Sequence, residues 1–372
     1  MASQPAAESP LTAAFRARGI PLAEVTPGFR VPSRFDDPAG EQLATRRAAG
    51  LYDFSFMAVF EVAGAGARAF LDRVQTRDAG SLRPGRIAYT LLLDDDGTVF
   101  VDATLWRFDD GRYWLVSGRP SDRSHVEAVA AGFDVQLRDL SGSFAVAAVQ
   151  GPASAWLLRR CGASSLPGYF RFGGLRVAGL DCRIARLGYT GELGYEIFVD
   201  TAAGARLWRT LCEAGSELDA RECGFDAADA LRIESGFVLF SRELRHRVTP
   251  AELGYARLAD PAGAFRGAAA LRARGRRPPR RMLVGLRPMP RPDRAPALPL
   301  AMQLPLRHAT PGRGVLTSAA VSALHGETLG LGFVDWSDRH PGTRVELGYG
   351  LAARVARLPY YDPLRRLPRL DP

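Results

Sequence analysis

The chain has 372 residues, 47% of them hydrophobic, which is enough to fill about two or three packed subdomains and too apolar for disorder to be the default. Its 49 basic residues against 40 acidic ones give a net charge of +9, and because the sequence contains no lysine all 49 are arginine. That excludes an internal Schiff base to pyridoxal phosphate, a P-loop lysine and a covalently attached lipoyl arm.

The arginines are spread along the chain rather than interleaved with aromatics, apart from RARGRRPPRR at 272–281, so the charge is read as solvated and no nucleic-acid partner is expected. No stretch approaches the ~20 apolar residues of a membrane span, and MASQPAAESP lacks the charged-then-apolar order of a secretory signal, so no membrane partner and a cytoplasmic location are expected. Cys161, Cys182, Cys212 and Cys223 form no C-x-x-C pair and the five histidines lie far apart, so no metal site is expected and the cysteines read as buried thiols.

In chain order, about the first 50 residues read as loops with helical pieces, after which the strand-like MAVFEVAGAG runs into the helical pattern ARAFLDRVQTRD. The glycines at 64 and 66 resemble half of a dinucleotide fingerprint, but the third is missing. From Ile87 to Ser117, apolar runs cut by DDDG and DDG turns predict an antiparallel meander. GPASAWLLRRCG reads as a helix, LRVAGLDCRIARLGYTGELGYEIFVD as strand, turn and strand, and GARLWRTLCEAG and DAADALRIESG as helices. After a connector at 272–281, RMLVGLRP, GRGVLTSAAV, ETLGLGFVDW, RVELG and LAARVARLPYY alternate like short strands, predicting a small all-β unit. The pattern is α+β rather than a doubly wound parallel sheet.

Three groups carry candidate chemistry. Strand alternation in GTVFVDATLWR sets Asp102 on a face with Phe100, Thr104 and Trp106, where aromatic neighbours desolvate a carboxylate and raise its pKa; a solvated outer face is the equally simple alternative. In GYTGELGYEIFV, glycines punctuate a turn before Glu196, and a carboxylate there suits two parallel hydrogen bonds to a pterin's amino group and ring N–H, although a lone exposed glutamate is the commoner case. On DAADALRIESG, Arg232 has the small neighbours Ala228, Ser235 and Gly236, leaving it approachable by a ligand or a carboxylate; the alternative is a surface pair with Asp229 or Glu234. No G-x-S-x-G elbow and no H-E-x-x-H is present, so hydrolase chemistry has little support.

The collinear blocks AGLYDFSFM, FLDRVQTRD, VQGPAS, RLGYTGELGYE, DALRIESGFVLFSREL, TPAEL, FRGAAAL, GVLTS and LPYYDP resemble the glycine-cleavage T-protein (aminomethyltransferase) family along nearly the whole chain. The resemblance implies a three-subdomain cloverleaf around a central funnel for tetrahydrofolate, with residues 1–271 as the folate-binding region, 272–281 as a linker and 282–372 as a barrel-like C-terminal subdomain. It implies Asp102 as the catalytic acid, Glu196 as the pterin-binding glutamate and Arg232 as the folate-site arginine, with Met57, Tyr89, Tyr189 and Tyr195 lining the pocket. The implied function is one-carbon transfer with 5,10-methylene- or 5-methyl-tetrahydrofolate, the donor being a lipoyl protein or a small molecule; oligomeric state is left open. Val101 in place of a paired aspartate, Gly118 in place of an asparagine and Arg257 in place of a tryptophan depart from the family pattern near the expected donor site. Demethylation of an O-, N- or S-methylated small molecule, a biosynthetic one-carbon transfer, and folate binding without catalysis are the alternatives.

Overall fold

Where apolar residues recur every second position a strand can bury one face, and where they recur at three- and four-residue intervals a helix can, so the fold follows from which faces find each other. The computed structural model describes residues 7–26, 29–109, 111–260, 262–275, 277–289, 314–346 and 352–371. The N-terminal elements are β1 (Ala7–Glu8), α1 (Thr12–Ala17), β2 (Leu22–Thr26), β3 (Phe29–Pro32), α2 (Pro38–Arg47) and β4 (Gly50–Asp53). The meander follows as β5 (Ala58–Ala63), α3 (Ala67–Val74), β6 (Arg86–Leu93), β7 (Val99–Arg107), β8 (Arg112–Ser117), α4 (Arg123–Ala130) and β9 (Gln136–Asp139). Then come β10 (Phe144–Gln150), α5 (Ser154–Arg160), β11 (Phe172–Val177), β12 (Leu180–Ala185), β13 (Gly194–Asp200), α6 (Gly204–Ser216), β14 (Arg221–Glu222), α7 (Phe225–Glu234) and α8 (Ala268–Arg274). The C-terminal strands are β15 (Arg281–Pro288), β16 (Val315–Ser322), β17 (Glu327–Asp335), β18 (Arg344–Glu346) and β19 (Ala352–Ala356).

Two sheets face each other. One runs β6-β7-β8-β5-β9 and the other β11-β12-β13-β10-β4-β14. Between them Trp106, Trp114, Val59 and Ile87 from the first sheet meet Phe198, Val146, Ala148 and Tyr52 from the second. Alternation gives each sheet a second apolar face, which a helical layer covers. Val101, Leu105, Phe60 and Leu115 pack with Phe70, Leu71 and Val74 of α3, residues spaced for one helix face. Val149, Ile197 and Val199 pack with Leu157 and Leu158 of α5 and Leu207, Trp208 and Leu211 of α6.

The C-terminal strands form a five-stranded sheet in the order β16-β17-β15-β19-β18, whose two ends are edges among the described residues, so the expected barrel-like closure is replaced by an open sheet. Within the expected connector 272–281, α8 continues to Arg274 and β15 begins at Arg281, while Arg276 lies outside the described residues. LRVAGLDCRIARLGYTGELGYEIFVD holds three strands rather than two, because Ala178 and Gly179 both take positive φ and close a tight β11–β12 hairpin. Gly64 and Gly66 serve a turn from β5 into α3, but β5 pairs antiparallel with β8 and β9, so the parallel unit of a nucleotide-binding loop is not formed there. The four cysteines are free, with Cys212 half-buried and the others buried, and the described residues contain no metal-ligating cluster. Among the described residues no helix is long and apolar enough to cross a membrane.

Phe198 sits where the two sheets meet, its ring within 5.3 Å of Trp106 and 6.1 Å of both Trp114 and Phe144. Phe198→Ala should lower unfolding stability by about 3–5 kcal/mol, read from the midpoint shift in urea with the slope unchanged.

Candidate active site

The alternation of β7 turns Asp102 toward the opposing sheet, on the same side as the fully buried Trp106. Tyr89 on β6 lies opposite Thr104 and reaches diagonally, its hydroxyl donating to Asp102 Oδ2 at 2.9 Å. Burial raises the Asp102 carboxyl to about 6, the Tyr89 hydrogen bond opposes the rise, and the carboxylates of Asp122 and Glu243 add to it. Burial and the neighbouring Asp102 hold the Tyr89 hydroxyl well above its ordinary value, so it remains a proton donor.

The glycine-punctuated loop between β12 and β13 owes its shape to close approach. A side chain on Gly188 or Gly194 would collide with the Gln150 side chain, which accepts from Thr190 Oγ1 at 3.0 Å and donates to the Leu187 carbonyl at 3.3 Å. Gly191 has φ +80°, and a Cβ there would meet Ser235 Oγ. Wrapped in this way, the loop presents Leu187, Gly188 and Tyr189; the Tyr189 hydroxyl donates to the Val238 carbonyl at 2.6 Å and its ring stacks on Phe237.

Glu196 lies two residues beyond Gly194 on β13, flanked across the strands by Ala148 and Ala185 and on the inter-sheet side with Phe198. It is buried, and among the described residues its carboxyl has no hydrogen bond or ion pair; desolvation alone pushes it up to about 8. A buried carboxyl without a partner is costly when ionised, so it is poised for a donor group that none of the described residues supplies.

A cavity of about 260 Å³ opens between the sheets and the C-terminal chain. Tyr89 and Asp102 come from the meander, Leu187 to Gly194 from the glycine loop, Ser235, Phe237 and Val238 from the chain after α7, and Pro359 to Arg369 from the chain after β19. Tyr169, Phe170 and Tyr255 complete the wall, and Phe170 holds φ +54°, a strained conformation for a residue with a side chain.

Of the seven residues expected from sequence, Tyr89, Asp102 and Tyr189 line the cavity. Met57 packs at the fringe of the inter-sheet core that also holds Tyr189 and Leu187, and Glu196 sits on that core's side of β13. Tyr195 faces the other way, into the core with Leu157 and Trp208, as strand alternation requires of the residue before Glu196. Arg232 is fully buried in a structural cluster rather than on the cavity wall: Nε donates to Asp229 at 2.8 Å, Nη1 to Glu243 at 2.8 Å and the Phe237 carbonyl at 3.0 Å, and Nη2 to Ser318 at 2.6 Å. Its guanidinium is thus engaged by protein on every nitrogen. Tyr169, Phe237, Tyr255, Glu192, Tyr361 and Arg365 also line the cavity without having been expected; Glu192, Phe237 and Tyr361 lie within the family-like blocks RLGYTGELGYE, DALRIESGFVLFSREL and LPYYDP, whereas Tyr169, Tyr255 and Arg365 stand in irregular chain with no periodicity to mark them.

The Glu196 shift has a definite sign. A carboxyl whose folded pKa lies above its unfolded value contributes stability that is complete below about 4.5 and lost as pH rises through about 8. Wild type should therefore lose melting temperature steadily between about pH 5 and pH 8 and level off above that, and Glu196→Gln should not; differential scanning calorimetry across that range reads the gap.

With this geometry in view, the comparisons with known proteins fall into place. The family model described as the GCVT N-terminal domain matches residues 11–261. The chain is 33% identical to the aminomethyltransferase of Streptomyces avermitilis, with 97% of each chain covered, and 30% identical to that of Bacillus subtilis, with 90% of this chain and 93% of the other covered. The crystal structure of the glycine cleavage system aminomethyltransferase T from Bartonella henselae superposes with a TM-score of 0.82 at 26% identity, covering 96% of this chain and 98% of that one. Its α+β fold of several sheets is thus shared, and the chain belongs to the glycine cleavage T-protein (aminomethyltransferase) family.

Proposed function

We propose that the protein transfers a one-carbon unit to or from tetrahydrofolate, carried as the 5,10-methylene or 5-methyl form, in the cavity bounded by Asp102. The observation that carries this reading is a pair of buried carboxyls, Asp102 and the unpartnered Glu196, facing the same inter-sheet space beside an aromatic-lined cavity. When bound, tetrahydrofolate supplies the nitrogen that takes up or releases the carbon.

Glu196 offers two acceptor oxygens to the adjacent N–H donors along a pterin edge, an arrangement a carboxylate matches and an amide does not. Tyr89, Tyr189, Phe237 and Tyr255 give the cavity the flat apolar surfaces that a fused ring system packs against. Asp102, with its pKa near 6, is mainly ionised at neutral pH yet can take and return a proton. A fixed carboxylate in a water-poor site stabilises positive charge developing on the donor, while Tyr89 keeps one of its oxygens engaged and its orientation set. Arg365 and Arg369, on the cavity wall and exposed, suit the anionic tail of a folate as it leaves the cavity.

The departures from the family pattern separate into two kinds. Val101 points into the helix-covered core, opposite to Asp102, so a residue change there leaves the charge of the cavity face untouched. Gly118 follows directly on Ser117, the partner of Ala103, and a side chain there would strike the Phe240 ring. An apolar ring close to the Asp102 strand favours a second reading in which the donor is a small O-, N- or S-methylated molecule rather than the aminomethyl group of a lipoyl protein.

Asp102→Asn should lower kcat by about a hundred- to ten-thousand-fold with tetrahydrofolate affinity nearly unchanged, and wild-type kcat should fall as pH drops below about 6. Single-turnover assays with an aminomethylated lipoyl carrier and with methylated small molecules identify the donor. An Asn variant as active as wild type on every donor would leave a folate-binding protein without transferase chemistry.

A further inference from the structure

One wall of the cavity is irregular chain: Pro359 to Arg369 follow β19 as a strap outside any sheet. Where the strap meets the glycine loop, it rests on a buried arginine from near the other end of the chain. Arg46 on α2 donates from Nη1 to Glu192 Oε1 and to the Thr190 carbonyl, each at 2.9 Å, and from Nε and Nη2 to Glu234 Oε2 at 3.0 and 2.5 Å. The Tyr361 ring lies against the guanidinium, 3.8 Å from Cζ to the ring centroid. The circle closes because the Glu234 carbonyl accepts from the Tyr360 and Tyr361 amides at 2.8 and 3.2 Å, while the Glu192 carboxyl and the Tyr361 hydroxyl influence each other electrostatically. Glu192 and Tyr361 both line the cavity.

A cation this deeply buried is tolerated only when its donors are met, and here the planar fork and the flat face of guanidinium are both used. Lysine offers neither a fork nor a face. Among the described residues no other cation touches both contacts on the cavity wall, one from the glycine loop and one from the strap; elsewhere Tyr360 ties the strap to the Leu286 and Gly330 carbonyls, and Arg186 donates to the Pro368 and Leu370 carbonyls.

We infer that Arg46 is a positioning residue that seats Glu192 and Tyr361 as one wall of the cavity and so sets how tightly the strap closes on a bound ligand. The identity of that ligand rests on the one-carbon reading above; the clasp itself does not.

The test uses the full chain as Arg46→Lys, Tyr361→Leu and the double variant. Without ligand, hydrogen exchange of residues 359–369 should quicken by about tenfold in Arg46→Lys, while β10 and β13 keep wild-type protection. Tetrahydrofolate should bind on the order of tenfold more weakly in each single variant and no more weakly in the double, the signature of one shared interaction. At saturating folate, kcat of Arg46→Lys should stay within about threefold of wild type. Tyr361→Leu leaves the Arg46 ion pairs in place, so it reports on the strap even if Arg46→Lys folds poorly. Unchanged exchange in the strap, multiplying losses in the double variant, or a fall in kcat at fixed KM would overturn the proposal. Failure of wild type to bind tetrahydrofolate would sink the one-carbon reading instead, and the exchange measurement would still decide the clasp.

Discussion

A carboxyl buried with no cation beside it must stay protonated or wait for a partner from outside, and this protein keeps such a group, Glu196, on the inter-sheet side of β13, two residues from the cavity-lining Gly194. The rest of the architecture makes that possible. Two sheets bring aromatic faces together over Trp106, Trp114 and Phe198, and helices on both outer sides bury the remaining apolar faces. Beside the cavity, Gly188 and Gly194 let the loop close onto the Gln150 side chain, whose amide oxygen accepts from Thr190.

The arginines divide the labour differently from the acids. Arg46 and Arg232 are buried, bonded at every nitrogen, and join segments distant in sequence: α2 to the glycine loop and α7, and α7 to Glu243 and the C-terminal sheet through Ser318. They hold the walls. Asp102 is held by a tyrosine hydroxyl and Glu196 by nothing among the described residues, so neither is neutralised by a neighbouring guanidinium. In a chain with 49 arginines, burial raises these two acids to about 6 and about 8, with no ion pair among the described residues to oppose it.

Strand periodicity made the core of the site legible. It set Asp102 on the face of Trp106; the same alternation turns Tyr195 away from Glu196, so the expectation that both line one pocket fails for Tyr195. The meander, the helices α5, α6 and α7 and the C-terminal strands follow their apolar patterns closely. Arg232 reads differently in three dimensions. Small neighbours on a helix do leave it approachable, but what approaches is Glu243, brought in by a turn that no local pattern encodes. Open-sheet edges in the C-terminal unit and the strap along the cavity were likewise hidden, since closure and packing of irregular chain depend on contacts between residues far apart in sequence.

The central claim is that Glu196 is neutral until a pterin edge supplies donors, and then becomes the acceptor of two hydrogen bonds. Calorimetry of tetrahydrofolate binding in buffers of different ionisation enthalpy counts the protons exchanged on binding. The account predicts release of about one proton at about pH 7, lost in Glu196→Gln. Binding with no proton change and no effect of that substitution, or no binding at all, would contradict it.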